Sequence, residues 1–186
     1  MKKLKYTIFL DCGDTIVDEA TEQKDARGTT LRAELIPGAA EMVHGLVSRG
    51  YTLGLVADGP EDTFINALGQ HNLYHFFSVK SISEIVGVSK PDPRMFEDSL
   101  NKLGIEPDHY GDVVMVGNNL ERDIKGANRL GLVSVFLNWS PRRSSVPADR
   151  DETPDHTIAL PLELLDLMDR LEAQAAARAA ADAEVN

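Results

Sequence analysis

The sequence predicts a doubly wound α/β domain, in which helices cover both faces of a parallel sheet. Short apolar runs alternate along the chain with segments in which apolar residues recur at helical spacing. The apolar runs are continuous, which is typical of strands that are buried on both faces. Single helical segments separate the strands, as the crossover between parallel strands requires. Such a Rossmann-like sheet binds its ligands at the carboxyl ends of the strands.

Five strands are predicted from the apolar runs, and the first is rich in aromatic and β-branched residues. In chain order, the predicted strands span 5–10, 51–56, 76–82, 112–117 and 132–138. The predicted helices between them span 39–49, 61–71, 93–103 and 121–130. Pro37 and Gly38 break the chain before the first of these helices, and Gly104 follows the end of the third. These punctuating residues therefore agree with the boundaries that the apolar spacing indicates.

Two stretches do not follow the alternation. Residues 17–35 are polar and weakly patterned, and we expect them to form a loop or a short helix over the site. Residues 140–155 are rich in proline, serine and charge, which predicts an irregular surface loop. Its Arg142 and Arg143 are expected to be solvated. If the loop folds over the site, they would instead offset the acidity of the protein.

The chain length of 186 residues fits one domain. We expect a single α/β domain over residues 1–171, with an amphipathic helix over 162–171 at its end. An alanine-rich helical tail over 172–186 is expected to extend that helix, because alanine is the best helix former. The tail has little apolar bulk to bury, so its end is expected to fray.

The net charge of −11 limits the classes of partner. An acidic protein repels nucleic acid and anionic membranes, so neither is an expected partner. A phosphate site in such a protein needs local cations. No apolar segment approaches the roughly 18 residues of a membrane span, and the N-terminal apolar run is too short for a signal peptide. With a single cysteine, which excludes an internal disulfide, we expect a cytoplasmic protein.

Polar residues cluster just beyond the ends of three predicted strands and before one predicted helix. The clusters contain Asp11, Gly13 and Asp14; Ala57, Asp58 and Gly59; Lys90; and Asn118, Asn119 and Asp123. In a doubly wound sheet, all four clusters converge on one edge. A carboxylate nucleophile, a lysine and oxygen ligands for Mg²⁺ are what phosphoryl transfer through an aspartyl-phosphate needs.

The four clusters resemble the motifs of the haloacid dehalogenase (HAD) superfamily, in the order in which that family has them. The segments "SKPDPRMFEDSLNKLGI" and "VVMVGNNLERDIKGANRLGL" are close to its third and fourth motifs. The resemblance runs from Tyr6 to about Leu171. It implies a sheet with strand order 5-4-1-2-3, hydrolysis of a small phosphorylated substrate or a phosphoprotein, and Mg²⁺ as cofactor. Only about twenty residues separate Thr15 from Pro37, which resembles the capless members and fits a monomer or a homodimer.

By this resemblance, Asp11 matches the nucleophile and a metal ligand, and Lys90 matches the family lysine. Asp123 matches the last carboxylate of the fourth motif, at the metal. Asn118 stands where an aspartate usually binds Mg²⁺; its amide oxygen can still bind, with one negative charge fewer. Gly13 stands where phosphatases of the family have a second aspartate. Glycine keeps the carbonyl for the metal and loses the general acid.

Two further positions bear on catalysis. Ala57 replaces the usual serine or threonine that bonds the phosphate, which leaves the backbone N–H groups of Asp58 and Gly59 for that purpose. Asp14 comes one residue after the expected position of the acid. It is either a turn residue that bonds its own backbone or a displaced acid that a bend at Gly13 brings back.

The residues are compatible with three functions. The first is a Mg²⁺-dependent phosphatase that is weak or selective, because loss of a general acid typically costs about 10²–10⁴-fold in rate. The second is a catalytically degenerate protein that binds a phosphorylated ligand or a protein partner. The third is a dehalogenase that uses Asp11 without a metal; that chemistry usually goes with a large cap, which is missing here.

Overall fold

The computed structural model describes residues 6–185 and contains a six-stranded parallel sheet. The predicted first strand begins at Lys5, which lies outside the described residues. The strands of the sheet are β1 (Thr7–Leu10), β4 (Leu53–Ala57), β5 (Phe77–Ile82), β6 (Val113–Gly117), β7 (Val133–Leu137) and β8 (His156–Ile158). They lie in the order β5-β4-β1-β6-β7-β8, and each pair of neighbours is parallel.

This sheet confirms the predicted fold class and strand order. The five predicted strands correspond to β1, β4, β5, β6 and β7. Numbered 1 to 5 in that sequence, they lie in the order 3-2-1-4-5, which reads 5-4-1-2-3 from the other edge. The sequence did not predict β8, which extends the sheet beyond β7. Since β1 lies between β4 and β6, the carboxyl ends of these three strands meet at the centre of one sheet edge.

Helices cover both faces of the sheet. They are α1 (Ala39–Ser48), α2 (Glu61–Gly69), α3 (Ser83–Val86), α4 (Arg94–Lys102), α5 (Lys125–Leu130) and α6 (Glu163–Val185). In β1, Ile8 and Leu10 pack into one core with α1, α2 and α6, whereas Phe9 packs into a second core with α4 and α5. All three side chains are fully buried, because neighbouring residues of a strand point to opposite faces.

The segment over 17–35 contains a short helix, as predicted, and also a hairpin that was not predicted. It contains a short 3₁₀ turn, Glu19–Thr21, and an antiparallel pair of strands, β2 (Gln23–Lys24) and β3 (Thr30–Arg32). The side chains of β2 are exposed, so no apolar alternation announces the pairing. In the described part of the chain, this hairpin and turn are the secondary structure between Thr15 and Pro37, which agrees with the predicted capless type.

The C-terminal helix α6 is continuous over Glu163–Val185 and packs against α1. Arg49, at the end of α1, donates hydrogen bonds to the carbonyl oxygen of Leu165 at 2.6 Å and to Asp169 at 2.9 Å. Although α6 has 23 residues, no helix within residues 6–185 combines such a length with the apolar character of a membrane span. The division into a domain over 1–171 and a tail over 172–186 stays a prediction.

Gly126→Ala is expected to destabilise the protein, although alanine is the better helix former. A Cβ at the buried Gly126 would overlap with the ring of Phe96, which is itself fully buried, and would lie 3.4 Å from the Pro91 Cα. Overpacking of this kind costs about 1–3 kcal/mol, whereas the gain in helix propensity is about 1 kcal/mol. We expect urea denaturation to show a lower free energy of unfolding.

The matched control is Gly69→Ala in α2, where an added Cβ meets no atom within 4 Å. This change is expected to raise the free energy of unfolding by up to about 1 kcal/mol. Equal effects of the two substitutions would contradict the close packing of Phe96 on Gly126.

Candidate active site

The carboxyl ends of β1, β4 and β6 open into a cavity of about 320 Å³. Asp11 directly follows β1, Asp58 follows β4, and Asn118 follows β6. Lys90 enters from the loop before α4, next to a cis peptide bond to Pro91. All four of these residues line the cavity. The fold therefore brings these residues together at one edge of the sheet, as was predicted from the strand ends.

Lys90 joins the ends of the strands at the base of the cavity. Its Nζ donates hydrogen bonds to Asp11 Oδ1 at 2.7 Å, to Asp123 Oδ1 at 2.6 Å and to the Val56 carbonyl oxygen at 2.8 Å. The Lys90 side chain is only 2% exposed. Burial works to lower the pKa of Lys90, but the charges of Asp11 and Asp123 outweigh it and raise the pKa above its ordinary value. Lys90 is therefore a fixed positive charge.

Asp123 is buried beneath this cluster. Its Oδ1 accepts from Lys90, and its Oδ2 accepts from the backbone N–H of Asn119 at 3.0 Å. Burial raises the pKa of Asp123, against the effect of Lys90. The carboxylate packs on Gly117, where any Cβ would overlap with it. Because both oxygens have protein partners, the contacts of Asp123 are those of a residue that orients Lys90.

The last residue of β4 and the two that follow it have contacts within the protein, although Asp58 and Gly59 also line the cavity. Ala57 is fully buried in the core. Asp58 Oδ1 accepts from the backbone N–H of Lys90 at 3.0 Å, and its Oδ2 lies 3.3 Å from Arg122. The backbone N–H of Gly59, which was predicted to face a phosphate, donates to the Ser83 hydroxyl at 2.8 Å.

Asp14 lies away from the cavity lining. It has a positive φ of 50° and is fully buried. Its carboxylate accepts two hydrogen bonds from the guanidinium of Arg142, one of them at 2.7 Å, and another from the backbone N–H of Glu19 at 3.1 Å. These contacts are those of a turn residue that ties two loops together. The sequence-based catalytic role of Asp14 has no contact that supports it.

Arg142 and Arg143 of the loop over 140–155 reach the site, although both side chains stay more than one-third exposed. Arg142 pairs with Asp14 and with Asp18 at 2.6 Å, and Arg143 lines the cavity. The alternative, that the two arginines offset local acidity, describes the structure. The cations that line the cavity are Lys24, Lys90, Arg122 and Arg143.

Sequence reasoning missed Glu19. A Cβ at Gly13 would overlap with Glu19 Oε1 and would lie 3.0 Å from Glu19 Cδ, so this carboxylate occupies the space beside Gly13. Glu19 is half-buried and lines the cavity. Burial raises its pKa, and the charge of Arg143 opposes that rise. No helix or strand periodicity relates Glu19 to Asp11, because the chain between them is an irregular turn.

The oxygen atoms at the cavity fit a hard cation. Asp11, the backbone of Gly13 and Asn118 all line it, and these are carboxylate, carbonyl and amide groups. The buried Nδ2 of Asn118 has no hydrogen-bond partner. No group of three or more histidine, cysteine, aspartate or glutamate residues within 6–185 could hold a metal. The oxygen atoms of Asp11, Gly13 and Asn118 are of the kind that Mg²⁺ binds together with several waters.

Comparison with known proteins agrees with this geometry. Residues 5–131 match the family model of the haloacid dehalogenase-like hydrolases. The chain is 37% identical over 122 residues to a glyceraldehyde 3-phosphate phosphatase of Methanopyrus kandleri, covering 66% of this chain and 51% of that protein. It is 34% identical over 124 residues to a phosphoserine phosphatase of Thermus thermophilus, covering 67% and 47%. The chain thus spans about half the length of these curated relatives.

The fold is also found among solved structures. A HAD phosphatase from Thermococcus onnurineus superposes with a TM-score of 0.71 at 19% identity, over 88% of this chain and 97% of that one. The HAD-hydrolase YfnB from Bacillus subtilis, bound to magnesium, gives a TM-score of 0.73 at 18% identity, over 89% and 99%. Because the family model matches more than half of the sequence, this chain belongs to the haloacid dehalogenase-like hydrolase family.

Proposed function

We propose that this chain is a Mg²⁺-dependent phosphatase that transfers the phosphoryl group of a small substrate first to Asp11 and then to water. The observation that carries the proposal is the contact of Lys90 with both Asp11 and Asp123 at the base of an open cavity. Of these two carboxylates, that of Asp11 is 14% exposed and that of Asp123 only 1%, so Lys90 joins an accessible carboxylate to a buried one. The phosphatase names of the curated relatives support the same reaction class.

Asp11 is suited to attack phosphorus. Its Oδ1 is held by Lys90, and its side chain remains 14% exposed where it lines the cavity. The backbone N–H of Asp11 donates to the Val116 carbonyl at 3.0 Å, so the residue continues the pairing of β1 with β6. A nucleophile on a rigid sheet edge needs little reorganisation to reach its attacking position.

Positive charge for the transferring group comes first from Lys90, which stays protonated between its two carboxylates. Mg²⁺ would be held by the Asp11 carboxylate, the Gly13 carbonyl and the Asn118 amide oxygen. When bound, it would stabilise the negative charge of the phosphoryl oxygens. Arg122 and Arg143 add positive charge at the rim, although each also lies within 3.4 Å of an acidic side chain.

The cavity favours a small phosphate ester. Its volume of about 320 Å³ is at the lower end of ordinary ligand sites. Glyceraldehyde 3-phosphate and phosphoserine, which name the activities of the curated relatives, are therefore the first substrates to assay.

A second function is favoured by the contacts after β4. With Ala57 in the core and the Gly59 N–H bonded to Ser83, two donors expected at a phosphate are engaged or absent. A degenerate protein that binds a phosphorylated ligand without turnover would have such a site. Under this alternative, calorimetry would detect the binding of phosphate esters, while no phosphate would be released.

Removal of Mg²⁺ tests the proposed reaction. The protein is incubated with phosphate esters and acyl phosphates, with Mg²⁺ or with EDTA. We expect phosphate release with Mg²⁺ and a rate lower by about 10²-fold or more with EDTA. Mass spectrometry of acid-quenched samples should find a phosphoryl group on the peptide that contains Asp11. No release from any substrate in the presence of Mg²⁺ would refute the phosphatase and leave the binding function.

A further inference from the structure

We propose that Glu19 is a catalytic residue that exchanges the proton of the leaving-group oxygen, in place of the side chain that Gly13 lacks. This inference rests on the proposed phosphatase reaction and names a group that the reaction needs. An alkoxide is a poor leaving group, so cleavage of an alkyl phosphate is slow without a proton donor beside the departing oxygen.

Glu19 lies where a proton donor for the leaving group is needed. The Glu19 carboxylate fills the space that any side chain at Gly13 would enter, two residues after the nucleophile Asp11. The same carboxylate lines the cavity together with Asp11. Gly13 has no positive φ, so its backbone does not require glycine. The absence of a side chain is what makes room for Glu19.

Five acidic side chains line the cavity within the described residues, and most of them are engaged in close contacts. They are Asp11, Glu19, Glu22, Asp58 and Asp123. Asp123 holds Lys90 and the Asn119 N–H, and Asp58 holds the Lys90 N–H. Glu22 accepts from Thr30 and Lys24, each at 2.8 Å.

Glu19 is held most loosely of these acids. Its carboxylate contacts Arg143, whose nitrogen lies 3.4 Å from both oxygens, at the long limit of a hydrogen bond. Both side chains are about one-third exposed, so a substrate oxygen can compete with this contact. Since Asp11 attacks phosphorus, Glu19 is the acid that remains to serve the leaving group.

Glu19 is held in place by contacts to its backbone and to its side chain. Its backbone N–H donates to Asp14 at 3.1 Å, and Asp14 is in turn held by Arg142. The neighbouring Arg143 then reaches the Glu19 carboxylate from the same loop. The pair of the buried Asp14 with Arg142 therefore fixes both the backbone of Glu19 and its side-chain partner.

The reaction balances with this assignment. An oxygen of Asp11 forms a bond to phosphorus as the bond from phosphorus to the ester oxygen breaks. The electron pair of that bond goes to the ester oxygen, which takes the proton of the Glu19 carboxyl group and leaves as an alcohol. A water molecule then attacks phosphorus, gives one proton to the Glu19 carboxylate, and releases phosphate from Asp11. The sum is ester plus water to alcohol plus phosphate.

Glu19→Gln tests the assignment through its dependence on the leaving group. Rates of phosphate release are measured with Mg²⁺ for phosphoserine, whose leaving group is an alkoxide, and for p-nitrophenyl phosphate, whose leaving group needs no proton. We expect kcat/KM, which reports the transfer to Asp11 and not the later hydrolysis, to fall by about 10²-fold or more for phosphoserine and by less than about tenfold for p-nitrophenyl phosphate. The matched control is Glu34→Gln, an exposed residue outside the cavity, which should change neither rate.

Two results would overturn the inference. One is an equal loss of kcat/KM for both substrates in Glu19→Gln, which would mean that Glu19 only shapes the site. The other is an unchanged rate for phosphoserine. Asp11→Asn is measured in parallel, because loss of both activities in that variant separates a failure of the Glu19 assignment from a failure of the phosphatase reaction.

Discussion

Replacing Asp11 by Asn is expected to lower the rate of phosphate release by about 10⁴-fold or more, because the amide cannot attack phosphorus. The protein should remain folded. Asparagine has the same shape, and Lys90 keeps its contacts with Asp123 and the Val56 carbonyl. Steady-state assays measure the rate, and urea denaturation measures the free energy of unfolding of the same preparation.

The control for Asp11→Asn is Asp62→Asn, which makes the same chemical change at an exposed position of α2. This control should retain its rate and lose at most a few tenths of a kcal/mol, by its place in the first turn of a helix. If Asp11→Asn kept more than a tenth of the activity, the covalent mechanism on Asp11 would be wrong.

The fold could be predicted from the sequence because each strand is marked by its own residues and the same pattern recurs along the chain. Four of the five strands are apolar runs, whose side chains must be buried on both faces of a sheet, whereas β5 lies at the sheet edge and includes Ser78 and Lys80. Because the strands are parallel, their carboxyl ends lie at the same edge of the sheet. The contact of Lys90 with Asp11 and Asp123 follows from that arrangement, although 79 residues separate Lys90 from Asp11.

The parts of the fold that were missed are short and polar. Strand β8 has three residues, of which Ile158 is the buried one, so neither an apolar run nor an alternation marks it. In the hairpin, β2 has only two residues, and most side chains of β2 and β3 are exposed. Its pairing depends on contacts with the rest of the fold, such as the 3.0 Å hydrogen bond from the Thr30 N–H to the Thr63 hydroxyl in α2.

The local arrangement around Gly13 could not be predicted, because it depends on ion pairs between distant loops. Asp14 and Arg142 are 128 residues apart, and a charged loop is ordinarily solvated. The sequence left open whether a bend at Gly13 returns Asp14 to the site. In the structure the chain bends, but Asp14 turns away from the cavity and pairs with Arg142, and the carboxylate beside Gly13 belongs to Glu19.

Lys90→Met is expected to affect stability as well as activity, in contrast to Asp11→Asn. Methionine fills a similar length but leaves Asp123, which is 1% exposed, without its cationic partner. Removing one partner of a buried ion pair costs about 3–5 kcal/mol, because the remaining charge stays desolvated. Phosphate release should be lost too, since the charge that holds Asp11 and faces the phosphoryl group is gone.

The origin of that cost can be isolated with a double variant. If it comes from the stranded charge of Asp123, then Lys90→Met combined with Asp123→Asn should be more stable than Lys90→Met alone, while still inactive. Lys102→Met serves as the matched control, because Lys102 pairs with Asp98 on the exposed face of α4 and such pairs contribute less than about 1 kcal/mol. A Lys90→Met protein as stable as the Lys102→Met protein would show that the cluster does not depend on the Lys90 charge. Lys90 would then contribute to catalysis without contributing to the fold.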